Sequence, residues 1–182
     1  SIINNNFNIE KVVSFHGIKK GIENTNYLLK SKNKKYILTI FEKRVSKKDI
    51  PFFMELMDIL NKSRISCPKP LKTYDKNYLI KLRNKRACIV SFLEGKDKKL
   101  LKAIDCYAIG KSIAKMHLIT KKIKLNRKNS MGIKNLEPLL NSIKFKSKET
   151  SNLKNFLKNN LKNIRKNWPK KLPKGIIHGD LF

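Results

Sequence analysis

One short motif near the end of the sequence has residue types suited to acid–base chemistry. The tripeptide His178-Gly179-Asp180 follows the apolar pair Ile176-Ile177. We predict a short strand at 175–177 and, after it, a tight loop that holds Asp180. Phosphoryl transfer to an alcohol requires alignment, charge neutralisation and one carboxylate near the attacking hydroxyl; Asp180 is the candidate, with His178 packed behind it. The alternative is a turn aspartate beside a core histidine, the ordinary interpretation of such a motif in isolation.

A glycine-containing segment between two predicted strands has the residues to contact phosphate groups. Gly17 and Gly21 allow backbone amides to approach a ligand closely, and Asn24, Thr25 and Asn26 add short hydrogen-bonding side chains. No Gly-Lys-Ser/Thr sequence ends the segment, so it is not a Walker A loop. Because Gly and Asn are also common in hairpins, an ordinary turn is the alternative.

A third candidate is the apolar segment 89–95. Its exposed backbone could bind the edge of an adenine ring near Ser91, with Phe92 and Leu93 as apolar walls. An ordinary core strand fits the same residues equally well.

The elements that must position these residues change in type along the chain. Connections between the strands of the first half are short, which implies antiparallel pairing, because parallel crossovers need a dozen or more residues. One helix interrupts them: Asp49 is its predicted cap, Pro51 lies in its first turn, and apolar residues recur at helical spacing over 53–60. The β-branched and aromatic runs predict strands at 12–15, 27–29, 36–41, 78–82 and 87–93.

The second half is predicted to be helical. Apolar spacing indicates one helix from about 100 to 119 and another along the stripe 153–168, with a basic loop at 121–135. We therefore predict an α+β fold in two lobes, residues 1–95 and residues 96–182. Nucleotides commonly bind in the clefts between lobes.

The formal charge of +30 suggests an anionic partner. The alternative function that it raises is a basic RNA-binding protein. Nearly all of the positive charge is lysine, however, dispersed rather than massed in one tract, whereas arginine is the residue that recognises phosphates and bases in a bidentate way. We therefore expect no specific nucleic-acid partner, and the abundance of Lys, Asn and Ile fits compositional drift.

The pairing of the cysteines and the length of the apolar stretches indicate where in the cell the protein is located. Cys67, Cys88 and Cys106 form no CxxC pair, which fits reduced thiols in a cytoplasmic protein. The longest apolar stretch, 87–93, is too short to span a bilayer, so no membrane partner is expected. The sequence does not indicate an oligomeric state.

Six segments together resemble one family. They are 21–29, 37–44, 51–53, 67–70, 90–95 and 177–182, and in this order and spacing they are similar to bacterial homoserine kinase of the aminoglycoside phosphotransferase and choline kinase superfamily. The segments Gly21–Tyr27 and Pro51–Phe53 point to homoserine kinases more than to related families, whereas His-Gly-Asp alone marks only the superfamily.

The resemblance implies a protein-kinase-like fold and a reaction. ATP would phosphorylate L-homoserine to O-phospho-L-homoserine, a step toward threonine; the alternative is another small-alcohol kinase, of the choline or aminoglycoside type. It implies Asp180 as the catalytic base with His178 beside it, the 17–26 loop over the phosphates, and 91–93 as the adenine-contacting hinge. Residues 1–95 would form the ATP-binding lobe, and 96–182 the N-terminal part of the helical lobe.

Two departures from the family pattern concern the phosphate site. The superfamily usually has a lysine in the third strand, where this chain has Thr39; Lys43 or Lys35 are the alternatives for its charge. The acidic partner on the following helix would be Glu55, whose other interpretation is a solvent-facing helix residue.

The resemblance also implies Mg²⁺, with ligands beyond Phe182. The chain lacks an initiating Met and stops at an apolar pair directly after a motif, so we expect a fragment at both ends. We further expect the 182-residue chain alone to be inactive as a kinase.

Overall fold

The computed structural model describes residues 2–19, 23–42, 45–96, 98–144 and 147–181. In these residues, a short helix comes first, then five strands with a second helix between the third and fourth strands, and finally three more helices. The predicted α+β class is therefore confirmed. The elements are α1 (Ile2–Asn6), β1 (Ser14–Ile18), β2 (Asn24–Lys30), β3 (Lys35–Phe41), α2 (Ile50–Lys62), β4 (Ile80–Leu82), β5 (Lys85–Ser91), α3 (Ala103–Thr120), α4 (Ile133–Ser142) and α5 (Lys148–Lys166).

The strands form one sheet in the order β1-β2-β3-β5-β4. Every pair is antiparallel, as the short connections predict. Most boundaries differ from the predicted ones: β1 is Ser14–Ile18 rather than 12–15, β2 is Asn24–Lys30 rather than 27–29, β4 begins at Ile80 rather than Tyr78, and β5 is Lys85–Ser91 rather than 87–93, whereas β3 differs by one residue.

The sheet has apolar residues on both faces, which explains why β3 shows little polar alternation. One face packs Leu29, Leu38 and Ile89 against Phe7, whose side chain is fully buried. The other face packs Cys88 and neighbouring residues against α2 and is called here the α2 face. Because alternate residues of a strand point to opposite faces, these two clusters fix the side to which each strand residue points.

Helix α2 follows the predicted pattern. Asp49 occupies its N-cap position but makes no capping hydrogen bond with its side chain, Pro51 lies in its first turn, and the helix buries Ile50, Met54 and Leu60. Its C-terminal half lies close to the chain before β4, because Asp58 is near enough to Tyr78 to affect the pKa of that phenol. Burial and this carboxylate together raise the pKa of Tyr78 to about 12.

The remaining helices agree with the sequence only in part. Helices α3 and α5 match the predicted segments, whereas α1 and α4 were not predicted. Apolar residues of the α3 stripe are largely exposed: Ile104, Tyr107 and Leu118 are each about two-thirds accessible. In the part of the chain that the structure describes, no helix is long and apolar enough to cross a membrane.

The chain groups into two compact units. One comprises residues 1–126 together with 176–182, and the other comprises 127–175 with α4 and α5. Within the second unit, Arg165 pairs with Glu137 at 2.7 Å. The lobe boundary between residues 95 and 96 stays a prediction.

Candidate active site

The His-Gly-Asp segment has an exposed, irregular backbone. Residues 175–177 do not form the predicted strand, and both His178 and Asp180 are exposed, so His178 is not packed in a core. Gly179 has φ +78°, in the left-handed region that L-residues rarely adopt. A Cβ at Gly179 would meet no atom within 4 Å, so the backbone conformation, not space, accounts for glycine here. The segment belongs to the same unit as the sheet.

Three residues expected in the phosphate loop lie on a strand instead. Asn24, Thr25 and Asn26 are the first residues of β2, and Gly21 lies outside the described residues. Because alternate residues of a strand point to opposite faces, Thr25 is on the same face of the sheet as Leu29, whereas Asn24 and Asn26 are on the α2 face. The side chains of this group therefore do not all point to one ligand.

Asn26 meets the residue at the usual lysine position. Thr39 is directly opposite it in the register of β2 and β3, and the Thr39 hydroxyl donates a 2.8 Å hydrogen bond to Asn26 Oδ1. Both side chains are on the α2 face, and both are partly exposed. Together they form a neutral polar pair where the superfamily pattern has a cation.

Glu42 orders the start of β2, a role that the sequence did not predict. It accepts a 2.8 Å hydrogen bond from the Thr25 hydroxyl and pairs with Lys85 at 2.5 Å, and its own backbone N–H donates to Asn24 Oδ1 at 3.4 Å. Hydrogen bonds from Lys85 and then Thr25 lower the pKa of Glu42. Thr25 is thus held by a carboxylate on the face opposite Asn26.

The predicted hinge follows the end of β5. The Ser91 N–H donates to the carbonyl of Lys69 at 2.9 Å, and the Phe92 N–H donates to the carbonyl of Lys35 at 3.3 Å. Leu93, the next residue, is 44% accessible. The hinge is therefore anchored at two residues and open at the third.

Lys35 contacts this hinge through its side chain as well. Its Nζ lies 5.2 Å from the centre of the Phe92 ring and 2.7 Å from Glu94 Oε1. A cation over an aromatic ring and an ion pair both favour one arrangement of the segment. Lys35 therefore fixes the hinge, and this contact is distinct from the phosphate role considered for it. Lys43, the other alternative, lies outside the described residues.

Glu55 lies on an exposed part of α2 that faces the β4–β5 hairpin. It lines a cavity there and is close enough to Tyr78 to raise the pKa of that phenol, a smaller effect than burial and Asp58. No contact recorded for the described residues joins it to Thr39. In these same residues no three His, Cys, Asp or Glu side chains converge as a metal site would require.

Comparison with known proteins defines the class. The model of the APH phosphotransferase enzyme family matches residues 14–182, so the chain belongs to that family. Two curated relatives are the homoserine kinases of Rhodopseudomonas palustris strain HaA2, 36% identical over 177 residues, and of Paramagnetospirillum magneticum, 38% identical over 177 residues. Each alignment covers 97% of this chain and 54% of the relative, so the chain spans about half the length of these relatives.

A solved structure supports the fold. The crystal structure of spectinomycin phosphotransferase in complex with ADP and spectinomycin matches with a TM-score of 0.58 at 14% identity, covering 97% of this chain and 60% of that one. An AMP-bound complex of the same enzyme matches with a TM-score of 0.56 at 16% identity, over 94% and 59% of the two chains. The predicted protein-kinase-like fold is thereby confirmed.

Proposed function

We propose that the complete protein carrying this chain is a homoserine kinase. It transfers the terminal phosphoryl group of ATP to the hydroxyl of L-homoserine and forms O-phospho-L-homoserine, on the route to threonine. The observation that carries the proposal is the 36–38% identity to two curated homoserine kinases across 97% of this chain. The free thiols Cys67, Cys88 and Cys106 suit a cytoplasmic location.

In the proposed mechanism, Asp180 accepts the proton of the attacking hydroxyl, as one carboxylate does in phosphoryl transfer to an alcohol. The left-handed conformation of Gly179 turns the chain immediately before this carboxylate, which fixes the direction of the Asp180 backbone. His178 is exposed on the N-terminal side of the same turn, and we propose that it assists Asp180 in the complete protein.

ATP, when bound, supplies the phosphoryl group and a good leaving group. We propose that Asn24 and Asn26, whose side chains are on the α2 face, contact the phosphates of ATP. Gly21 is proposed to contribute its backbone, whereas the side chain of Thr25 is held by Glu42 on the opposite face. The Thr39 hydroxyl already donates to Asn26 Oδ1, so the donor that this pair offers to a phosphate oxygen is the Asn26 amide N–H.

The adenine contact is proposed at the hinge. The N–H groups of Ser91 and Phe92 already donate to the carbonyls of Lys69 and Lys35, so we propose that the backbone of Leu93 contacts the adenine edge, with Phe92 and Leu93 as the apolar walls. Glu55, the candidate partner of a phosphate-binding lysine, faces the β4–β5 hairpin, so the phosphate contacts in this proposal depend on β2 and β3 alone. Mg²⁺ is expected to accompany ATP, with ligands from the part of the family's length that this chain does not span; no step is assigned to it.

The substrate proposal is tested by ADP release from the protein encoded by the whole reading frame that carries this chain. L-homoserine, choline and spectinomycin are compared as acceptors at equal ATP concentration. We expect kcat/KM for homoserine to exceed the other two by at least about a hundredfold, because sites that hydrogen-bond the acceptor discriminate strongly. Equal or better turnover of choline or spectinomycin would instead assign another small-alcohol kinase.

A further inference from the structure

A cavity of about 660 Å³ lies between α2 and the β4–β5 hairpin. Its volume is in the range of small-molecule sites. Its wall includes the buried side chain of Met54, which is 2% accessible, and the half-buried side chain of Leu79, both from the cluster on the α2 face. An apolar wall of this kind can cover the body of a small ligand. None of the residues proposed to contact homoserine or ATP lines the cavity. Glu55 does line it, but it has no role in the proposed kinase site.

The rim of the cavity is strongly basic. Against the single carboxylate of Glu55 it has the five cations Lys47, Lys76, Lys81, Lys85 and Arg86. Within the described ranges, an ion-pair partner is recorded for only one of these cations, Lys85, which pairs with Glu42. The other four leave the rim with excess positive charge, and they are close enough together to reinforce one another within a Debye length.

Two of these cations are opposed in the sheet register. Lys81 of β4 and Arg86 of β5 are directly cross-strand partners. Like charges in this position destabilise a strand pair. A bound anion between them would remove that repulsion and gain two charge-assisted hydrogen bonds.

The backbone around the cavity includes residues with a positive φ. Lys76 and Asn84, both lining residues, have φ of +60° and +59°, and Arg83 next to Asn84 has +40°. Asparagine tolerates the left-handed region, but lysine and arginine do so at a cost in free energy. The positive φ of Arg83 and Asn84 is the ordinary geometry of a two-residue hairpin turn between the paired residues Leu82 and Lys85. These positions present the β4–β5 turn and the Lys76 turn toward the same cavity.

We propose that this cavity binds a small amphiphilic anion, with its charged head between Lys81, Arg86 and Lys76 and its apolar body against Met54 and Leu79. The excess of unpaired cations selects a negative head group, and the buried apolar wall selects a ligand with a hydrocarbon or aromatic part. The site is separate from the proposed kinase chemistry and does not depend on it.

The test is calorimetric titration of the 182-residue chain with octyl phosphate, octanoate and inorganic phosphate. We expect saturable binding of one octyl phosphate or octanoate per chain with a Kd below about 1 mM, and binding of inorganic phosphate at least about tenfold weaker. Tighter binding of octyl phosphate would indicate that the ligand has a phosphate head group, and tighter binding of octanoate would indicate a carboxylate. Both results support the proposed site. Absence of saturable binding of both, or equal affinity for inorganic phosphate, would overturn the proposal.

Matched variants separate this site from general attraction to a basic protein. Lys76→Met/Lys81→Met/Arg86→Met is expected to weaken binding at least about tenfold, because charge-assisted hydrogen bonds are lost. Lys11→Met/Lys30→Met/Lys32→Met removes the same charge from exposed residues elsewhere and should retain the affinity. Equal weakening in both triple variants, with both folded by thermal melting, would contradict a specific site.

Discussion

The hydroxyl of Thr39 donates a 2.8 Å hydrogen bond to Asn26 Oδ1 across strands β2 and β3. The family resemblance implies that Thr39 stands at the usual lysine position of the superfamily, so we expect this neutral pair in place of a cation. The bond also orients the Asn26 amide group, leaving its N–H donors directed away from Thr39. The pair thus offers a fixed donor group on the α2 face, where the proposed phosphate contacts are.

Loss of this bond should weaken nucleotide use in the complete protein. Thr39→Val keeps the shape of the side chain but leaves Asn26 without its partner, which costs about 1 kcal/mol. We expect the KM for ATP to rise roughly fivefold, while Thr39→Ser, which keeps the hydroxyl, stays near wild type. An unchanged KM in Thr39→Val would remove the pair from the phosphate site.

The strands and α2 could be predicted from the local sequence alone. Runs of β-branched and aromatic residues indicated the strands, and apolar residues at helical spacing indicated α2. Helix α4 was not predicted, because Pro138 lies inside it and its flanking segment is rich in Lys and Asn. The beginning of β2 was assigned to a loop since Asn and Thr are typical turn residues. Only the pairing of Asn24 with Phe41 and of Thr25 with Ile40 shows that they continue a strand.

The side-chain roles were harder to predict than the elements. Lys35 and Glu94 are 59 positions apart in sequence, and no local pattern connects them. The same applies to Glu42, whose contacts to Thr25 and Lys85 depend on which strands are neighbours. The order β3-β5-β4 had to be known before either role could be recognised.

Removal of the Lys35 side chain should loosen the hinge. Lys35→Met eliminates the contact with the Phe92 ring and the ion pair with Glu94, which together contribute roughly 0.5–1 kcal/mol in such exposed settings. We expect a two- to fivefold higher KM for ATP with nearly unchanged kcat. Lys32→Met, an exposed lysine in the neighbouring turn, is the control for lost charge. If both variants change KM equally, the hinge contact has no role of its own.

Lowering the pH should weaken the contacts that the Glu42 carboxylate makes with Thr25, at the start of β2, and with Lys85. The pKa of this carboxyl is lowered from its ordinary value of 4.5, chiefly by Lys85 and then by Thr25. Its contribution to stability is therefore fully present above pH 4.5 and is lost as the pH falls through the lower folded pKa. Urea unfolding between pH 6 and pH 3 should show a smaller loss for Glu42→Gln than for wild type.

The control for this acid dependence is Asp75→Asn, which removes one carboxylate from an exposed turn. Its loss of stability on acidification should follow the wild type. The same pH profile for Glu42→Gln and wild type would contradict the role of the Glu42 contacts.

A side chain at Gly179 should disturb the catalytic turn through the backbone alone. Gly179→Ala meets no steric clash, but φ of +78° costs an L-residue about 1–2 kcal/mol. We expect kcat of the complete protein to fall about tenfold or more as the turn before Asp180 shifts. Gly175→Ala also meets no atom within 4 Å and has no left-handed φ to lose, so it should keep near-normal kcat. Normal kcat in Gly179→Ala would show that this conformation is not needed.

The most direct test of the proposed kinase chemistry is homoserine-dependent ADP release by the complete protein with Asp180→Asn. The variant keeps the size of the side chain but removes the base, so kcat should fall about a hundredfold to ten-thousandfold, with ATP binding retained. Homoserine turnover at wild-type rates in Asp180→Asn would contradict the account, because no other residue in it accepts the proton.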